Sequence, residues 1–135
     1  MIRVYTASKI FTAALWRELD RSWAHVHFHA RWLKHHFKGT PDRQEYAKAF
    51  WREDEIDVAH SDALVVYAKE GEHLRGALVE VGMAIAFGIP VIAVGDHPDY
   101  STWQFHPLVT RVADLKAAYE ALCEIDKKLG LHQPR

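Results

Sequence analysis

Apolar positions along this chain change their spacing several times, and each change marks an element. Ile2 to Thr6 is short and β-rich, which predicts an opening strand. Lys9 to Arg21 places Ile10, Phe11, Ala14, Leu15 and Leu19 at helical spacing. Val26 to Trp32 reads as a second, weakly patterned strand. Gly39-Thr40-Pro41-Asp42 is a loop in which Thr40 or Asp42 caps a helix running from about Asp42 to His60. Ala63 to Tyr67 is a continuous apolar run, as expected of a strand covered on both faces. Lys69 to Leu74 is polar and reads as a surface loop. Ala77 to Phe87 predicts a helix closed by Gly88, and Pro90 to Val94 a further buried strand. A loop from Asp96 to Pro107, a last strand at Val109 to Ala113 and an amphipathic helix from Asp114 to Leu129 complete the series.

Strands alternating with helices predict an α/β three-layer sandwich. Its sheet is mostly parallel, has four or five strands, and is flavodoxin- or Rossmann-like. Residues 1–129 form one domain, and 130–135 read as a loose tail. Ligands of such sheets bind beyond the carboxyl ends of the strands, at a topological switch point. The loops at Thr6-Ala7-Ser8, Ala68 to Arg75 and Gly95 to Pro107 are expected to meet there.

The 135 residues are 49% hydrophobic and 26% charged, a balance that argues against disorder. A chain of this length buries roughly 70% of its unfolded surface without a staple. Its one cysteine, Cys123, forms no intrachain disulfide and fits a reducing, cytoplasmic compartment. A formal net charge of −1 gives no general basic field, and from it no nucleic-acid partner is expected. Gly76 to Gly95 carries only Glu80 as a charge, yet its glycines, Pro90 and mid-stretch change of period favour a helix followed by a strand over a membrane span.

Within that stretch Glu80 stands among Ala77, Leu78, Val79, Val81 and Met83. A carboxylate in such a setting is exposed, paired or functional, and the positive end of a helix dipole would help to hold its charge. Gly76, Ala77 and Ala84, three or four residues away, are small enough to leave room for a ligand. The other reading is a glutamate that caps its helix or faces water. Asp54, Asp57 and Asp62 form a second acidic group, either a partner for Glu80 in two-carboxylate chemistry or a solvated helix face. Tyr5 and Ser8 close the first strand and begin its loop. That loop lacks both GxGxxG and GxxxxGK[ST]. Histidines 25, 27 and 29 alternate, but HExxH is missing, and neither a metal nor a cofactor is expected.

Taken together, Tyr5-Thr6-Ala7, Asp54 with Asp62, Gly76-Ala77-Leu78-Val79-Glu80-Val81-Gly82-Met83-Ala84 and Gly88-Ile89-Pro90-Val91 resemble the nucleoside 2-deoxyribosyltransferase-like family, which includes nucleotide N-glycosidases. The resemblance spans about Ile2 to Leu115, and only G-x-x-x-E-x-G-x-A is specific. It implies cleavage of an N-glycosidic bond, with Glu80 as nucleophile, Asp54 at the leaving base and Tyr5 orienting Glu80. It also implies a homodimer or larger oligomer and a small-molecule nucleoside or nucleotide as partner, with no membrane. The family's transferases carry another aspartate six residues before the nucleophile, where this chain has Leu74. Arg75 follows and suits a phosphate, as does Ser8 in place of a common glycine. Asp62, Gly76, Ser8, Arg75 and Trp103 are therefore expected to bind substrate, Trp103 through the base. A non-catalytic nucleotide or nucleotide-sugar binding module on the same fold is the alternative.

Overall fold

The computed structural model describes residues 1–35 and 43–131. Its strands are β1 (Ile2–Ala7), β2 (Val26–Phe28), β3 (Ala63–Val66), β4 (Val91–Val94) and β5 (Val109–Val112). Its helices are α1 (Ala13–Ser22), α2 (Arg43–Ala59), α3 (Gly76–Ala86) and α4 (Leu115–Leu129), with 3-10 turns at Ile10–Thr12, Arg31–Lys34 and Thr102–Phe105. All strand pairings are parallel and the order is β2-β1-β3-β4-β5. This is the expected Rossmann-like α/β architecture.

β3 and β4 are buried at every position, which is why both read as unbroken apolar runs. α3 packs on β1, β3 and β4 and against α2. α4 packs on β1, β4 and β5, and Trp23 at the end of α1 stacks on Tyr119 of α4 with ring centres 5.0 Å apart. Trp16, Tyr5, Ile2, Leu64, Ile92 and Leu122 are the largest wholly buried side chains. No helix among the described residues is long and apolar enough to cross a membrane, and the 76–95 stretch is α3 followed by β4.

Two local differences from the sequence reading have physical causes. The second strand is shorter than Val26 to Trp32. The Arg31 amide donates to Asp57 Oδ2 at 2.9 Å, so an acidic side chain takes a donor that a longer strand would use. Of His25, His27 and His29, only His27 is therefore in a strand. The first helix starts at Ala13 behind a 3-10 turn, because none of its first residues supplies a side-chain cap. Gly88, at φ +74°, closes α3 as expected of a residue free to adopt the left-handed region.

Thr40 and Asp42 lie outside the described residues. In the tail, Leu131 donates its amide to Asp126 at 3.0 Å, closing α4, and the residues beyond it are also outside them.

Candidate functional site

The chain leaves β1 for the edge strand β2, then crosses back to β3 on the other flank of β1. The β1–β3 junction is thus the switch point of the sheet, and a cleft of about 210 Å³ opens there. Ser8 and Lys9 after β1, Leu74 and Arg75 before α3, and Asp54 of α2 line it, with Glu80 on its floor. The third expected loop, Gly95 to Pro107, supports the cleft from behind. Asp99 accepts the Leu74 amide at 2.7 Å, and the Tyr100 hydroxyl donates to the carbonyls of Val66 at 3.2 Å and Val94 at 2.9 Å.

Tyr5 and Glu80 meet through the sheet–helix packing. Tyr5 lies on the face of β1 that carries α3, and its hydroxyl donates to Glu80 Oε2. Both side chains are buried. Asp54 reaches the same place from α2, where its Oδ1 is buried without a hydrogen-bond partner among the described residues.

Burial pushes the Glu80 carboxyl up to about 8; the Tyr5 hydrogen bond pulls it down and the Asp54 charge adds to the rise. Burial likewise raises Asp54 to about 6, against the pull of Tyr5 and with a smaller push from Asp57 and Glu53. Tyr5 is held far above its ordinary range by burial and by the two carboxylates, so it stays a donor. Burial therefore disfavours ionising both carboxyls together, and the pair favours sharing a proton. Two coupled carboxyls with one proton between them are the acid/base arrangement that group transfer uses.

The rest of the cleft combines an aromatic face with basic side chains at its rim. Gly76 opens α3 where a Cβ would stand 3.3 Å from the Trp51 ring, so the missing side chain lets the indole approach the helix. Trp51 is 39% exposed and offers a face to a planar ring. No side chain caps α3, and Gly76 and Ala77 line the cleft at the helix's positive end. Arg75 is exposed at the rim. The Ser8 hydroxyl accepts from Trp16 Nε1 at 2.8 Å, which fixes its position.

Of the expected site residues, the structure brings Glu80, Asp54, Tyr5, Ser8, Gly76 and Arg75 together. Asp62 is elsewhere: it precedes the amino end of β3, accepts the Arg3 amide at 2.8 Å, and is absent from the cleft. Trp103 is also absent from the cleft and packs on Tyr100 at 5.3 Å. Asp57 is absent from the cleft and takes the Arg31 guanidinium at 2.8 Å, a structural ion pair. Sequence reasoning passed over Lys9 and read Trp32 and Trp51 as core or interface side chains; both line the cleft, Trp32 also belonging to the core. Trp51 carried a signal, since it stands one helical turn before Asp54 on the same face. Among the described residues no group of three or more His, Cys, Asp or Glu side chains is placed to hold a metal ion.

No family model matches the sequence, and neither does any curated protein. Two solved structures are similar to the fold. One is DNA processing protein A from Helicobacter pylori, described for its single-stranded DNA binding mode: TM-score 0.54, 10% identity, covering 91% of this chain and 80% of that one. The other is a 3-dehydroquinate dehydratase-like protein from Bifidobacterium longum: TM-score 0.46, 14% identity, covering 96% and 99%. At such identities the likeness concerns the fold alone. It nevertheless corrects one expectation. A protein of this architecture binds single-stranded DNA, so the exclusion of nucleic acid on a net charge of −1 does not hold. Net charge averages over the surface, whereas a polyanion meets one face of it. What DNA processing protein A shares with this chain is the Rossmann-like α/β fold.

Proposed function

We propose that the cleft cleaves the N-glycosidic bond of a nucleoside or nucleotide, with Glu80 as nucleophile. The observation that carries this reading is the buried Tyr5–Glu80 hydrogen bond with Asp54 beside it, at the switch point of the sheet. The resemblance of the Gly76 to Ala84 segment to the deoxyribosyltransferase-like family supports it; the fold likeness does not choose among functions.

The chemistry follows from the charges. Glu80 Oε attacks the anomeric carbon as the bond from that carbon to the base breaks. The bonding pair leaves with the base nitrogen, which takes the one proton of the pair, carried by Asp54 once Glu80 is ionised. The resulting glycosyl ester is then attacked by water, Asp54 recovers a proton, and Glu80 is released as a carboxylate. An ionised Glu80 is costly in the empty site because of its burial. That cost falls as positive charge develops on the sugar, so the site favours the transition state over the ground state. The Trp51 face suits the base. Arg75, Lys9 and the open amino end of α3 suit a phosphate.

The test is release of free base from ribo- and deoxyribonucleosides and their monophosphates, by the wild type and by E80Q. Release by the wild type and its loss in E80Q, with the fold retained, is the expected result. Undiminished release by E80Q would sink the mechanism.

A second reading, a binding module without turnover, is favoured by the burial of Glu80, which makes its ionised form costly. It predicts thermal stabilisation by a nucleotide with no product at any pH.

A further inference from the structure

A second pocket, of about 240 Å³, lies between α1, β2 and the 3-10 turn at Arg31–Lys34, and shares no lining residue with the cleft. Three cations line it: Arg17 and Arg21 from one face of α1, and Lys34 from the turn. Its one carboxylate, Asp20, sits where it would be expected to neutralise the arginines, but its Oδ1 is engaged by the Phe28 amide at 2.8 Å and by His27 at 3.1 Å. Among the described residues no carboxylate forms an ion pair with Arg17, Arg21 or Lys34.

The arrangement is also held in place. Arg17 donates from one guanidinium nitrogen to the Leu33 carbonyl at 2.5 Å, tying α1 to the turn. Arg21 donates from Nε to the Arg17 carbonyl at 3.3 Å, which leaves its two terminal nitrogens for another acceptor. Like charges one turn apart on a helix repel each other. The two guanidinium forks and one ammonium outnumber the single carboxylate of the pocket, and such a set is complementary to a multiply charged oxyanion.

We infer that this pocket is a phosphate-binding site, separate from the cleft, for the phosphate group of a phosphorylated small molecule or of a nucleic-acid strand.

The test is titration of the full chain at constant ionic strength with inorganic phosphate, a nucleoside monophosphate and a short oligothymidylate, following amide shifts by NMR. Wild type, E80Q and the R21Q/K34Q double variant are compared. Both substituted side chains of the double variant are exposed, and its far-UV circular dichroism is expected to match the wild type. Expected is phosphate binding with a dissociation constant on the order of 1 mM, with shifts at Arg17, Arg21 and Lys34. It should be equal in E80Q and weaker by about tenfold per cation removed, about 100-fold in the double variant. An oligothymidylate that binds more tightly than the monophosphate, and loses that advantage in R21Q/K34Q, identifies a strand as the source; equal or weaker binding identifies a small molecule. Wild-type affinity in the double variant, or shifts confined to the cleft, would overturn the proposal, as would a wild type that binds none of the three.

Discussion

The Tyr5 hydroxyl donates to Oε2 of Glu80 across 75 positions of sequence, joining β1 to α3 inside the protein. A phenol held far above its ordinary titration range is a permanent donor, and a donor facing a buried carboxyl favours the charged form of that carboxyl. Tyr5 therefore sets how readily Glu80 ionises, and Asp54 opposes it.

Replacing Tyr5 by Phe removes that donor without removing the ring from the core. Glu80 is then harder to ionise, so base release at pH 7 should fall by about 10- to 100-fold, the range for a lost hydrogen bond to a charged group. The rising limb of the pH–rate profile should also move to higher pH. A lower rate with an unmoved limb would mean that Tyr5 acts by shape alone.

Glu80 also links stability to pH, and the sign is fixed by its raised value. The folded chain holds the Glu80 proton up to about 8, against an ordinary 4.5. Between these values the folded state keeps a proton that the unfolded state has lost. This contribution is fully present below about pH 4.5 and is lost as pH rises towards 8, by at most about 1.4 kcal/mol per pH unit. Urea unfolding of wild type and E80Q at pH 5 and pH 8 reads it: E80Q should gain on the wild type at the higher pH. A constant difference between the two would show that Glu80 titrates normally.

The Asp54 charge raises Glu80, so D54N should lower it. Carboxyl carbon NMR titration of the two proteins measures the shift directly. Base release should nevertheless fall in D54N by about 100-fold or more, since the leaving base loses its proton donor. Retained activity across the panel would assign the acid to another group.

Gly76→Ala tests the packing at the mouth of the cleft. The new Cβ would meet Trp51 ring atoms at 3.3 and 3.5 Å, so the indole must shift. Because that ring is partly exposed, stability should change by less than about 1.5 kcal/mol. Ligand affinity should fall through the displaced ring face, seen as a higher KM with kcat little altered. A lower kcat at unchanged KM would place Trp51 away from the bound base.

The sequence by itself determined the order of elements, the parallel sheet and the prominence of Glu80. Periodicity reports whether a segment is covered on one face or two, and β3, β4 and α3 carried that record plainly. A single charge in the apolar run from Gly76 to Gly95 was equally legible, because an ionised group there is costly wherever the helix packs. Tertiary structure decided which acids gather. Asp54, Asp57 and Asp62 look equivalent along the chain, yet one enters the cleft, one binds Arg31 and one caps the wrong end of a strand. It also placed Trp51 rather than Trp103 at the cleft, and it gathered Arg17, Arg21 and Lys34 around a pocket that net charge had hidden. Local pattern says how deeply a residue is buried. Which residues meet depends on crossovers that bring distant segments to one edge of the sheet, and no spacing along the chain encodes that.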